Sequence, residues 1–372
     1  MSRRPALAAL VALLGATSGC ATTRLSYSPR ELRDEIARRA PGLAPADVVV
    51  PYELGPEEQA RAGEIVGHLQ AADAKVNALV EAMFDPRFLG LRYADRVTGD
   101  AIETLRTHEG NCLALASVFV GLARAVGLEA YYIDASSRVH ETTYGDDGMT
   151  VSAGHITAIV VTPRANLGLD FSRMGPFTWY RILDDVEAVA HFYNNRAFEG
   201  IDEARLRGAP VDWEAAALDF RRATEVKPEF ARAWSNLGMA EAALGRRAAA
   251  LADYREAIRR DPKLVAPRNN LGTLLLAEDD VEGALDTLQA AAALPGSGPH
   301  VLYNLALARL RAGDRPGAVE ALRAAREKGY PRAQRLLDEL AVAKAPLAGA
   351  PAVPPPAPRR TFGWPIDRVF GQ

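Results

Sequence analysis

Gly110-Asn111-Cys112-Leu113-Ala114-Leu115-Ala116-Ser117-Val118-Phe119-Val120-Gly121-Leu122-Ala123-Arg124-Ala125-Val126-Gly127-Leu128 is the stretch on which the reading of this chain turns. It holds no proline, and it is apolar on most faces, which predicts a helix buried at the centre of a domain. Gly127 stands where a C-terminal cap belongs. Asn111 is suited to cap the start, because its short side chain can accept from the first free N–H groups. Cys112 then falls in the first turn, where those N–H groups and the helix dipole favour a thiolate. The same N–H groups can form part of an oxyanion hole.

Around this helix the hydrophobic period changes. Leu128 to Ile133, His155 to Val161 and Leu167 to Phe171 are short β-branched or aromatic runs, and a Pro163-Arg164-Ala165-Asn166 turn separates the last two. They predict strands of an antiparallel sheet packed on the helix. A thiol nucleophile needs a base, and the base needs an orienting group. His155 opens one strand and Asp170 lies near the end of the next, so a tight turn between them brings the two side by side. His140 competes as the base, and Asp146 or Asp147 as the carboxylate. The Gly/Asp-rich segment from Glu141 to Gly154 reads as a connecting loop, and His108-Glu109 as a solvated turn.

Arg106-Thr107-His108-Glu109-Gly110-Asn111-Cys112, the helix after it and its Ala123-Arg124-Ala125-Val126-Gly127-Leu128 ending resemble the core motif of the transglutaminase-like family. The resemblance spans roughly residues 90–195. It implies an α+β papain/transglutaminase-like fold with Cys112 as nucleophile, His155 as general base and Asp170 as its orienter. The sequence departs from many members after the histidine, where Ile156-Thr157 replace an aromatic. Asp184-Asp185, Ala188 and Phe192-Tyr193-Asn194-Asn195 resemble the junction of such domains to helical repeats. With helices expected at Pro56–Met83 and Asp100–Thr107, the domain is placed at residues 61–195.

Farther on, Ala216, Ala250, Ala284 and Ala318 recur every 34 residues, as do Phe220, Tyr254, Leu288 and Leu322, and Ala223, Ala257, Ala291 and Ala325. Small residues where two helices touch, a large one filling the gap and a breaker after it resemble the tetratricopeptide repeat. An all-α solenoid is expected over residues 196–342, its first unit having only a convincing second helix. Its groove would take a protein or peptide ligand. The Ala/Pro-rich residues 343–372 read as a flexible tail.

At the other end, Arg3-Arg4, the apolar run Pro5–Leu14 and small residues before Cys20 predict a secretory signal peptide over residues 1–19. Thr17-Ser18-Gly19-Cys20 resembles a bacterial lipobox, which implies a lipid anchor on Cys20 and an extracytoplasmic location, at the outer membrane in a diderm. Residues 20–60 then read as a tether. Only Cys20 and Cys112 exist, so lipidation leaves Cys112 without a disulfide partner in an oxidising compartment. The net charge of −3 and the absence of a basic run exclude a nucleic-acid surface. Neither a zinc-type ligand pair nor a glycine-rich phosphate loop is visible, so no metal or cofactor is expected. The sum is an envelope lipoprotein with cysteine acyl-transfer activity, as protease, deamidase or transamidase; a lipid-anchored, non-catalytic scaffold is the alternative. The oligomeric state stays open.

Overall fold

A computed structural model describes residues 12–14, 24–135, 140–144, 149–153, 155–171 and 180–342. They divide into two compact units, one of residues up to 140 with 153–240, the other of 141–152 with 241 onward. In chain order the first elements are β1 (Ala12–Leu14), α1 (Pro29–Arg39), α2 (Pro56–Val66), α3 (Ala72–Phe84), β2 (Arg92–Tyr93), α4 (Ala101–Thr107), β3 (Glu109–Gly110), α5 (Cys112–Ala125) and β4 (Glu129–Asp134). β5 (His140–Tyr144), β6 (Met149–Ala153), β7 (Ile156–Val161), β8 (Asn166–Leu169), β9 (Arg181–Leu183), α6 (Asp185–Leu206), α7 (Trp213–Val226) and α8 (Ala231–Ala243) follow.

α5 is the axis of the first unit. Every residue from Leu113 to Ala123 is buried, as an all-apolar helix requires. A five-stranded antiparallel sheet, in the order β1-β8-β7-β4-β9, packs against it. Tyr132 on β4 donates to the Ser117 hydroxyl of α5 at 3.0 Å, so even the polar atoms of this interface are paired. Arg124, in the last turn of α5, ties the parts together. Its guanidinium meets both oxygens of the fully buried Asp185 at 2.8 Å. It also donates to the Ala130 carbonyl at 3.0 Å and lies over the Tyr52 ring. Such a buried fork matches carboxylate geometry in a way lysine does not.

Two sequence expectations are corrected by the structure. Residues read as a tether belong to the core: Leu32, Ile36, Leu43, Val48, Val50, Tyr52 and Leu54 are all buried in the same cluster as α5. Gly121 shows how close this segment comes. A Cβ there would stand 2.5 Å from the Tyr52 carbonyl oxygen. The other correction concerns Glu141–Gly154, where β5 and β6 form a two-stranded sheet instead of a loop. Thr142, Thr143, Thr150 and Val151 supply the β-branched character that the intervening Gly and Asp masked. The rival carboxylates Asp146 and Asp147 lie outside the described residues, as do Cys20, most of the expected signal peptide and the Pro-rich tail.

The helices of the second half are α9 (Arg247–Arg260), α10 (Val265–Ala277), α11 (Val281–Ala292), α12 (Pro299–Arg311), α13 (Arg315–Glu327) and α14 (Pro331–Val342). The 34-residue register is the packing register: Ala250, Ala284 and Ala318, with Tyr254, Leu288 and Leu322, are buried at equivalent places. Leu288 of α11 fits against Gly272 of α10 so closely that a Cβ at Gly272 would meet its Cγ at 2.5 Å. The first repeat is more complete than its sequence suggests. α6 runs unbroken for 22 residues through the expected domain boundary at 195 and serves as the first helix opposite α7.

Candidate active site

The elements on either side of Cys112 fix its place. Asp100 caps α4 through the Glu103 N–H, and α4 ends at His108 in the left-handed conformation, φ 58°. The chain then enters β3, which pairs in parallel with β2 so that Tyr93 lies opposite Gly110. Asn111 caps α5, its Oδ1 accepting from the Ala114 N–H at 2.9 Å. Cys112 is thereby held in the first turn, half-buried and without a disulfide. Three N–H groups ahead of the first helical bond have no intrahelical acceptor, so the turn carries positive potential where the sulfur sits.

The sheet delivers the other two groups. Thr162 closes the β7–β8 turn, its N–H donating to the Ala165 carbonyl at 3.1 Å and its hydroxyl accepting from the Ala165 N–H at 3.0 Å. That turn sets the register Ala158↔Leu169. Continuing it one rung places Thr157 opposite Asp170 and His155 diagonal to Asp170 on the same face, within reach of long side chains. The Thr157 hydroxyl donates to the Leu169 carbonyl across this rung, and the Ala135 N–H fixes the His155 carbonyl at 2.8 Å. His155 Nε2 lies 3.2 Å from Asp170 Oδ1. The Cys112 sulfur is near enough to act on the same ring, raising its pKa by hydrogen bonding and by charge. The structure therefore brings Cys112, His155 and Asp170 into one chain of contacts; His140 instead opens the separate β5–β6 sheet.

Electrostatics follow from this arrangement. Burial disfavours the charged imidazole, yet the hydrogen bonds to Asp170 and Cys112 and their negative charges outweigh it. The His155 pKa is pushed up to about 10. An imidazolium held between an oxygen and a sulfur acceptor is the partner a thiolate needs. The His155 side chain keeps 18% of its exposure and Asp170 only 5%, so the carboxylate is shielded while the ring can still be approached.

Sequence reasoning missed two neighbours. Burial, the charge at Cys112 and a hydrogen bond to Asp95 keep the Tyr93 hydroxyl protonated, its pKa raised above the ordinary 10. The Tyr93 backbone lies opposite Gly110, two residues before Cys112, in a two-residue strand too short to carry a sequence pattern. The other is Glu199, whose Oε1 accepts from Asn111 Nδ2 at 2.5 Å. It lies 88 residues from Asn111, on a helix that reads as part of the repeats. His108 and Glu109 hold the turn: the His108 ring lies 2.8 Å from the Leu89 carbonyl, and Glu109 pairs with Arg92 at 2.8 Å.

A separate polar cavity of about 100 Å³ is walled by Asp134, Arg181, Glu187, His191, Lys227 and Arg232. Its charges pair among themselves, Arg181 and Lys227 with Glu187 and Arg232 with Asp134, which makes it a structural seam. Among the described residues no group of three or more His, Cys, Asp or Glu stands together as a metal site, and no helix is long and apolar enough to cross a membrane.

Residues 59–165 match the model of the transglutaminase-like superfamily. Residues 231–264 and 269–334 match tetratricopeptide-repeat models. No curated protein matches the chain. Among solved structures, pilF of Pseudomonas aeruginosa is 21% identical, covering 42% of this chain and 70% of its own, with a TM-score of 0.37. A MamA structure is 21% identical over 38% of this chain and 83% of its own, with a TM-score of 0.34. MamA from Desulfovibrio magneticus RS-1 is 20% identical over 42% and 85%, with a TM-score of 0.35. The chain thus joins an α+β papain/transglutaminase-like domain to an all-α array of tetratricopeptide repeats.

Proposed function

We propose that this protein is a cysteine acyl-transfer enzyme whose repeats bring a protein or peptide substrate to the site. The observation that carries the reading is the contact chain from Cys112 through His155 to Asp170 at 3.2 Å, beginning at the tip of α5. With Nε2 on the carboxylate, Nδ1 is the ring nitrogen left for the sulfur. The thiolate of Cys112 attacks a carboxamide or peptide carbonyl, and the negative charge that develops on oxygen faces the N–H groups of the first helical turn. His155 gives its proton to the departing amine, leaving a thioester. It then takes a proton from water or from an acceptor amine, which attacks the thioester and frees Cys112. Water yields proteolysis or deamidation; an amine yields a cross-link.

The experiment is labelling of the purified protein with a thiol-directed acyl probe, beside a pH profile of alkylation by iodoacetamide. The expected result is labelling that disappears in Cys112→Ala and a thiol titrating near or below about 7. A thiol at the free value of about 8.5 would leave the second reading, a scaffold that presents its repeats to partners. The Ile156-Thr157 pair after His155, in place of an aromatic, is the feature that favours it.

The proposal includes an envelope address: signal residues 1–19 removed, and with them the edge strand β1, which leaves the four strands β8-β7-β4-β9 on α5, and Cys20 lipidated. It is supported by the Arg3-Arg4, apolar and Thr17-Ser18-Gly19-Cys20 pattern. Radiolabelled palmitate should enter the protein in bacteria and fail to enter Cys20→Ser.

A further inference from the structure

We infer that Glu199 is a positioning residue for Cys112, acting through the side chain of Asn111; the inference rests on the acyl-transfer reading above. Asn111 is the residue before the sulfur and the cap of its helix, so its orientation sets the first turn of α5. Three groups hold it from behind. The Val97 carbonyl accepts its N–H at 2.9 Å. Its Nδ2 donates to Thr98 Oγ1 at 2.8 Å and to Glu199 Oε1 at 2.5 Å. The other Glu199 oxygen accepts the Thr98 N–H. One carboxylate thus bridges the 97–98 loop and the Asn111 amide, leaving Oδ1 free to cap Ala114. One turn farther on, Asp202 pairs with Arg96 of the same loop.

Glu199 is buried, and burial raises its pKa to about 7 against the pull of the bonds from Thr98 and Asn111. A glutamine would fill the same volume. What only a carboxylate provides is two acceptors, one for each donor facing it. Glutamine would turn an N–H₂ toward one of them, and either the Thr98 N–H or the Asn111 amide would lose its acceptor. α6, which carries Glu199, is also the first helix of the repeats, so the nucleophile's cap is held by the element that begins the substrate-recruiting array.

The test is the rate of Cys112 alkylation by iodoacetamide against pH in the full-length wild type, Glu199→Gln, Asn111→Ser and the double variant, with far-ultraviolet circular dichroism to check folding. Serine keeps a capping oxygen but cannot reach Glu199. The expected result is a folded Glu199→Gln whose alkylation at pH 7 falls between about 10- and 100-fold, the scale of a small misplacement at a reacting group. Its inflection moves toward the free-thiol value, and the double variant is no slower than Asn111→Ser. An unchanged profile in folded Glu199→Gln, or additive losses in the double variant, overturns the inference while the activated wild-type thiol leaves the acyl-transfer reading standing. A wild-type inflection already at about 8.5 overturns both. Should Glu199→Gln fail to fold, Thr98→Val removes one leg of the bridge: a slower, upward-shifted profile supports the inference and an unchanged one overturns it.

Discussion

An imidazole in water gives up its proton near pH 6.5, whereas His155 holds its proton up to about 10. Because the folded-state value lies above the unfolded one, protonation stabilises the native state. That contribution is fully present below about pH 6.5 and is lost as pH rises through about 10. The melting temperature of the wild type should therefore fall across this window, and His155→Gln should flatten the fall; scanning calorimetry from pH 6 to 10.5 checks it. Asp170 supplies the first favourable cause of the shift. Asp170→Ala should then lower the His155 pKa by at least about one unit, the equivalent of about 1.4 kcal/mol, read from the imidazole C–H resonances in an NMR titration. A His155 pKa unmoved by this substitution would mean that the 3.2 Å contact carries no energy.

Helix starts reveal a regularity that the apolar pattern hides. Asp212, Asp280 and Asp314 occupy the same place in their repeats, and each accepts from an N–H three residues on, at 2.9–3.0 Å. At the matching place before α9 stands Arg246, with a similar backbone and no side-chain cap. Arg246 instead pairs with Glu241 at 3.3 Å, so replacing it would strand a carboxylate that is only 3% exposed. Asp280→Ala should lower stability by about 1 kcal/mol, read as a shift in the urea midpoint. Gly272 sets two effects against each other. Alanine is the better helix former by about 1 kcal/mol, but the new methyl would stand 2.5 Å from Leu288 Cγ, and overpacking costs about 1–3 kcal/mol. Gly272→Ala should therefore destabilise. A raised midpoint would show that Leu288 yields freely.

The first unit depends on residues far from its site. Leu32, Ile36, Leu43, Val48, Val50, Tyr52 and Leu54 are buried against the cluster that holds α5. At about 1.5–3 kcal/mol for each large apolar side chain, their combined burial is on the scale of a whole domain's stability of about 5–15 kcal/mol. A chain beginning at Pro56 should lose the near-ultraviolet dichroism and cooperative melting of this unit, and with them the alkylation behaviour of Cys112. A simple tether could be removed without either loss. The Arg124–Asp185 pair, with Tyr27 and Tyr52 around it, shows why: the N-terminal segment, α5 and α6 meet on one buried ion pair.

What depends on neighbours in sequence was legible before any coordinates. The burial of α5, its Asn111 cap, the strand–turn–strand that pairs His155 with Asp170 and the 34-residue packing register all follow from local periodicity and turn chemistry, which act over a few residues. Only the tertiary structure decided what is joined across long separations. It drew the supposed tether into the core, set Tyr93 opposite Gly110, paired residues 140–144 with 149–153 as a two-stranded sheet and made α6 both a repeat helix and the backing of Asn111. Such contacts depend on which buried surfaces and polar groups satisfy one another once the chain has collapsed, and no period in the sequence encodes a partner 88 residues away.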